Sequence, residues 1–142
     1  MSKSTRMHSK LALVVAIVVI AVVAVVLPAW AHHAHGNYAN EMTDFEGVVT
    51  EVHALFPHSW IYLSRKDASG EEQLWALEGG GPAGLRRLES EGKGLKVGDK
   101  VKVRCHVLRD GTPGCLLGYL KHPDGITYDH DAGAKPVTIE GF

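Results

Sequence analysis

Hydrophobic and polar positions divide the chain into three parts. Residues 11–27 form an unbroken apolar run that follows three basic residues, and no acidic residue occurs before Glu41. Residues 32–43 are polar and mixed, without a period, which predicts a flexible arm. From Asp44 onward, short stretches rich in β-branched and aromatic residues alternate with turns made of Gly, Pro and Asp, a pattern typical of β-strands.

The pattern after Asp44 predicts five strands, with a short helix over about residues 82–91 between the third and fourth strands. The expected strands cover residues 45–53, 59–63, 73–77, 100–108 and 115–121, with a short sixth at 126–128. This element order is that of an OB-type barrel, and a small sandwich is the alternative. We therefore expect an all-β, OB-like barrel of five to six strands over residues 44–130, followed by a C-terminal tail, residues 131–142.

The N-terminal segment has the three parts of a secretory signal, ending in the small-x-small site Ala29-Trp30-Ala31. Because the span from Leu11 to Ala31 approaches the length of a bilayer helix, an uncleaved anchor is the alternative. Under both interpretations, residues 1–31 are a signal or anchor helix and provide the only contact with the membrane. The rest faces the periplasm or another extracytoplasmic space.

Size and charge restrict the function classes. Without residues 1–31 the chain has 111 residues, with 12 basic against 16 acidic side chains, a formal charge of −4. This length suits one domain, and its mild acidity argues against nucleic acid as a partner. The sequence contains no Gly-x-Ser-x-Gly elbow, so it singles out no catalytic residue and favours a non-enzymatic role.

The two cysteines, Cys105 and Cys115, are expected to form a disulfide in an oxidising compartment. Residues 101–107 alternate between apolar and polar, which places Cys105 on the core face. A hairpin about Asp110 then brings Cys105 directly opposite Cys115. The alternative is a pair of buried, reduced thiols.

Histidines are the strongest chemical signal, because eight of the nine follow residue 31. Cleavage after Ala31 makes His32 the first residue, whose amine and ring can chelate one ion. His33 and His35 are neighbouring ligands, and such nitrogen donors suit copper or zinc. The alternative is a polar tail that binds no metal.

A domain histidine is expected to complete the metal site. His58 is the best candidate because it follows Pro57 at the start of a strand, and His53 lies five positions earlier and is expected to face it. The alternative for His58 is a structural hydrogen bond. Glu78 and Asp110 are candidate site-lining residues, whereas His106, His122 and His130 are expected at the surface.

Several short motifs occur in a characteristic order after the leader: Ala31-His32-His33, Glu46-Gly47-x-Val49, Pro57-His58-Ser59-Trp60-Ile61, Glu78-Gly79-Gly80-Gly81-Pro82, Leu95-Lys96-x-Gly98-Asp99-Lys100-Val101 and Leu108-Arg109-Asp110-Gly111. In these motifs the chain resembles the exported bacterial proteins grouped as domain-of-unknown-function family 6152. The resemblance implies export and a small β fold, points to His58, and implies no activity. The chain has Ala34-His35 where members of the family have Ser-Phe.

Three functions remain open on the sequence alone. The first is an exported domain that binds copper or zinc as a carrier, scavenger or accessory. The second is a metal-free module that binds an envelope protein or a small molecule. The third is a copper-dependent oxidase, which shares only the amine-plus-imidazole chemistry.

Overall fold

The computed structural model describes residues 8, 13–18 and 34–142. The chain divides into two units, Met1–Asn37 and Tyr38–Phe142, and the second is described throughout. Residues 8 and 13–18 are helical, and a single 3-10 turn covers Ala34–Asn37. The signal or anchor expected at residues 1–31 lies almost wholly outside the described residues. Within the described residues, no helix is long and apolar enough to cross a membrane.

The second unit contains seven strands and one helix. They are β1 (Tyr38–His53), β2 (Trp60–Lys66), β3 (Glu72–Glu78), α1 (Ala83–Ser90), β4 (Lys100–Leu108), β5 (Gly114–Lys121), β6 (Thr127–Asp129) and β7 (Lys135–Val137). The sheet order is β3-β2-β1-β4-β5-β6-β7, and a parallel pairing of β3 with β5 closes β1 to β5 into a ring. The predicted mostly-β class, with a short helix between the third and fourth strands, is confirmed.

The core lies inside this ring, because each strand places its alternate apolar residues there. The inward-facing side chains are almost fully buried: Val49, Ile61, Leu63, Leu77, Val103, Cys105, Leu117 and Leu120. Gly47 permits β1 and β2 to approach closely, since a Cβ atom there would lie 3.2 Å from the Cβ of Leu63. The alternation predicted over residues 101–107 therefore identified the core face of β4.

The arm expected over residues 32–43 differs from the structure in its second half. Tyr38 to Thr43 belong to β1 and pair with β4, with Met42 opposite His106. Most of these side chains are exposed, and the pairing uses backbone groups, so the segment needs no hydrophobic period. Likewise, β7 lies within the expected tail of residues 131–142 and pairs with β6.

Cys105 and Cys115 are joined by a disulfide, with 5.8 Å between their Cα atoms. The register differs from the expected one, because Cys105 lies opposite Leu117 while Cys115 lies opposite Val107. The offset is two residues, which keeps both sulfurs on the core face. The bond therefore crosses the β4–β5 pair diagonally.

Helix α1 packs against the C-terminal segment through Gly84, where a Cβ atom would lie 2.6 Å from the carbonyl of Gly133. We expect Gly84→Ala to destabilise the domain by about 2 kcal/mol, because backbone must move to admit the methyl group. Urea unfolding followed by circular dichroism measures the change. Gly36→Ala is the control, since a Cβ there meets nothing within 4 Å. Equal stabilities of the two variants would contradict the expectation.

Candidate functional site

Three polar side chains meet near the start of β2: Tyr38, His58 and Glu78. The hydroxyl of Tyr38 donates a hydrogen bond to Oε2 of Glu78 at 2.5 Å. The other carboxylate oxygen, Oε1, lies 3.6 Å from Nδ1 of His58, an ion-pair distance that exceeds a hydrogen bond. Glu78 thus links the first residue of β1 to the loop between β1 and β2.

Backbone hydrogen bonds bring His58 and Glu78 together. The amide of Ser59 and its Oγ both donate to the carbonyl of Gly80, at 2.9 and 2.7 Å, and the amide of Gly79 donates to the carbonyl of Ser59 at 2.9 Å. Side chains are excluded here, because a Cβ at Gly79 would lie 2.9 Å from Oγ of Ser59. Gly79 is therefore explained by its close approach to Ser59, and Gly80 by its approach to the carbonyl of His130, where a Cβ atom would lie 2.9 Å away.

The side chain of His58 is more exposed to solvent than that of Glu78. The Glu78 side chain is 19% exposed, whereas that of His58 is 51% exposed. Burial and the adjacent Glu78 carboxylate raise the pKa of Tyr38, so the phenol stays protonated and remains a donor. The result is a carboxylate held by Tyr38 beside an accessible imidazole.

His53 lies on the same outer face but has a different carboxylate. In register, His53 is opposite Trp60, and Trp60 is opposite Glu78, so these side chains share one face of the sheet. The Nε2 of His53 lies 2.9 Å from Glu51, and its ring contacts that of Tyr62 edge-on at 5.3 Å between centroids. His53 and His58 thus have separate partners at the same end of β1 and β2.

Among the described residues, no contact joins Asp110 to this cluster, and the structure does not describe the side chains of the three N-terminal histidines. His32 and His33 lie outside the described residues, and only the backbone of His35 is described, in the 3-10 turn. Asp110 accepts a hydrogen bond from the amide of Thr112 in its own turn. Among the described residues, no group of three or more His, Cys, Asp or Glu side chains is arranged to hold a metal.

Sequence reasoning missed Tyr38 because the residue was assigned to the arm. It also placed His122 and His130 wrongly at the surface, whereas His106 lies half-buried on the expected polar face of β4. Nδ1 of His106 lies 2.9 Å from the carbonyl of Ala39, which ties β4 to the start of β1. His122 and His130 are each only 4% exposed. A histidine next to a turn carries no local signal of what covers it, so these positions depend on tertiary packing.

Comparison with known proteins supplies a family but no activity. No curated protein matches the chain. The model of a family of unknown function, DUF6152, matches residues 19–117, which is more than half of the chain and includes His58, Glu78 and both cysteines. The chain therefore belongs to the DUF6152 family of unknown function.

Proposed function

We propose that this protein is an exported domain that binds a copper or zinc ion through its N-terminal histidines, with His58 as the ligand from the folded domain. The observation that carries the proposal is the Glu78 carboxylate beside Nδ1 of His58. At 3.6 Å the carboxylate makes no hydrogen bond to the ring, but its negative charge favours the positive charge that the imidazole gains when its other nitrogen binds a cation. In the described residues, no hydrogen bond engages Nε2 of His58, so we assign that atom as the one that coordinates the ion.

Chain length permits the N-terminal histidines to reach His58. Tyr38 contacts Glu78, which in turn contacts His58. His35 precedes Tyr38 by three positions and His32 by six, and an extended chain spans at most about 3.5 Å per residue. The reach is thus at most roughly 10 Å from His35 and 20 Å from His32, and shorter where the 3-10 turn of Ala34–Asn37 coils the chain; the proposal needs the first residues to lie within this reach of His58.

Two features of the domain support the proposal further. The strand order, with β3 parallel to β5, supports an OB-like barrel, in which ligands bind on the face of β2 and β3 and on the loop between β1 and β2. His58 lies in that loop. The disulfide between Cys105 and Cys115 supports residence in an oxidising, extracytoplasmic compartment, periplasmic or secreted.

A copper titration of the exported protein tests the proposal. Mass spectrometry first establishes whether the chain begins at His32. We then expect one copper(II) per chain by visible absorption. We expect His58→Gln to weaken the affinity about tenfold or more, because losing even a residue that only supports a ligand costs about 10- to 100-fold. His53→Gln is the matched control, since it removes a comparably exposed histidine that has its own carboxylate, Glu51.

The outcomes of this titration are distinct. Loss of affinity on adding one residue before His32 would support the amine chelate, and equal effects of His58→Gln and His53→Gln would remove the assigned role of His58. A chain that begins at His32 and leaves micromolar copper and zinc unbound would overturn the metal proposal.

A metal-free binding module is the second candidate function, and one observation favours it. The loop between β1 and β2 exposes two large apolar side chains, Leu55 at 55% and Phe56 at 80%. Trp60 and Tyr62 lie half-buried on the adjacent outer face of β2. Neighbouring exposed apolar side chains are typical of contact surfaces for proteins or small molecules. If the copper titration shows no binding, the metal-free module remains as the proposed function, with this surface as the one that contacts its partner.

A further inference from the structure

A cleft of about 630 Å³, chemically different from the His58 cluster, is formed by parts of the five strands β1 to β5 and by the residues that follow β5. Cationic side chains dominate its lining: Arg65, Lys66, Lys100, Lys102 and Lys121. Among the described residues, the acidic side chains that line it are Glu46 and Glu72. Residues 32–142 carry a formal charge of −4, so the cleft has the opposite sign from the domain that contains it.

Three of these cations lack a partner that would neutralise them. Arg65, Lys66 and Lys100 make no ion pair and no side-chain hydrogen bond to any described residue, whereas Lys102 pairs with Asp44 at 3.8 Å. Elsewhere in the described part of the chain, only Lys96 and Lys135 are similarly unpaired. The cleft therefore collects most of the cations that the folded domain leaves unpaired.

Aromatic stacking holds Arg65 in place. Its guanidinium carbon lies 4.5 Å from the ring centroid of Phe45 and 5.2 Å from that of Trp75, and the two rings contact each other at 4.8 Å. Stacking uses the face of the guanidinium and leaves its N–H groups available in the plane, a geometry suited to oxyanions. A cation that is already positioned loses less side-chain entropy when it binds an anion.

We propose that this cleft binds a small ligand that carries a multiply charged phosphoryl group. Three unpaired cations favour an anion with more than one charge over a single carboxylate. The volume falls within the range of small-molecule sites. The hydrogen bond from Oγ of Ser64 to Oε1 of Glu72 at 2.5 Å does not neutralise that carboxylate. Glu46 and Glu72 therefore both repel anions that the cations do not hold strongly.

Calorimetric titration with inorganic pyrophosphate at physiological ionic strength tests the proposal on the full exported protein. We expect saturable binding that Arg65→Gln and Lys100→Gln each weaken about tenfold or more, because each removes a charge-assisted hydrogen bond. Lys135→Gln is the matched control, since Lys135 is also unpaired but lies outside the cleft. We expect it to leave the affinity unchanged, as we expect for His58→Gln.

The variants also separate binding from folding. Arg65 covers Phe45 and Trp75, so Arg65→Gln is accompanied by a thermal unfolding measurement, and Lys100→Gln tests the same cleft without touching those rings. Arg65→Lys keeps the charge and removes the planar fork, so we expect an intermediate affinity. Absence of pyrophosphate binding, or equal weakening by Lys135→Gln and Lys100→Gln, would overturn the proposal whatever the result of the copper titration.

Discussion

Acidification from pH 7 towards pH 4 is expected to destabilise the domain by several kcal/mol through His122 and His130. Both rings are buried, and Nε2 of each has no hydrogen-bond partner among the described residues. Burial lowers the pKa of His122, and it lowers that of His130 to about 3. The folded domain therefore holds both rings neutral under conditions in which free histidine is protonated.

The direction of this stability change follows from the difference in histidine pKa between the folded and unfolded states. Histidine has a pKa near 6.5 in the unfolded chain, above its value in the folded domain, so below pH 6.5 the unfolded chain binds protons that the folded domain excludes. Stability is complete above that pH and falls as the pH approaches the folded pKa. His130 alone then costs about 1.4 kcal/mol for each pH unit, and His122 adds to the loss until it is itself protonated.

Charged neighbours determine the order in which the two histidines are protonated. Asp124 and Asp99 favour the protonated form of His122 and partly offset its burial, as does a backbone hydrogen bond with Lys93. His130 receives no such help, since proximity to His122 lowers its pKa further, and the ring centroids are 6.0 Å apart. His122 is therefore expected to accept a proton first, which makes protonation of His130 still less favourable.

Urea unfolding of the wild type and of His130→Phe at pH 7, 6, 5 and 4 measures this effect. Carboxylates such as Asp44, whose pKa is lowered by its hydrogen bond with Arg104, titrate in both proteins and cancel in the difference. We expect the wild type to lose more stability than the variant as the pH falls. Parallel pH profiles would contradict the expectation. If the variant does not fold, NMR titration of the wild-type imidazole signals measures the same protonation directly.

The burial of these histidines shows where sequence reasoning reaches its limit. A second small core forms between α1 and the segment around β6, with Leu88, Tyr128 and Ala134 as its buried members. His122 contacts the ring of Tyr128 at 4.4 Å between centroids. The local sequence of residues 122–130 predicts a polar turn. These residues are buried because other segments of the folded chain pack against them. No periodic pattern reports such a contact.

The strands of the ring were more predictable than the site. Alternation identified the buried face of β4 because one side of that strand meets the core and the other meets solvent. His58 and Glu78 were each recognisable as candidates, but their proximity depends on the hydrogen bonds between Ser59 and Gly80. Tyr38 joins them only because the start of β1 pairs with β4. Long-range backbone pairing thus assembled residues that the sequence identified separately or not at all.

Removal of the disulfide is expected to lower the free energy of unfolding by roughly 3 kcal/mol. The bond closes a loop between Cys105 and Cys115, ten positions apart, and without it the unfolded chain gains conformational entropy. Cys115 also lies opposite Leu77 in the parallel β3–β5 pairing that closes the ring. Loss of the bond is therefore expected to accelerate amide hydrogen exchange in β3 and β5 more than in the β1–β2 pair.

Two perturbations measure this contribution and separate its causes. Reduction of the wild type breaks the bond and keeps both sulfur atoms in the core, whereas Cys105→Ala with Cys115→Ala also removes two buried side-chain atoms. We expect both proteins to unfold at lower urea than the oxidised wild type, and the double variant to be the less stable of the two because of its additional cavity. If reduction left the unfolding midpoint unchanged, the diagonal bond would contribute nothing to the stability of the ring. The ring would then be closed by the hydrogen bonds between β3 and β5 and by the packing of Leu77 and Leu117.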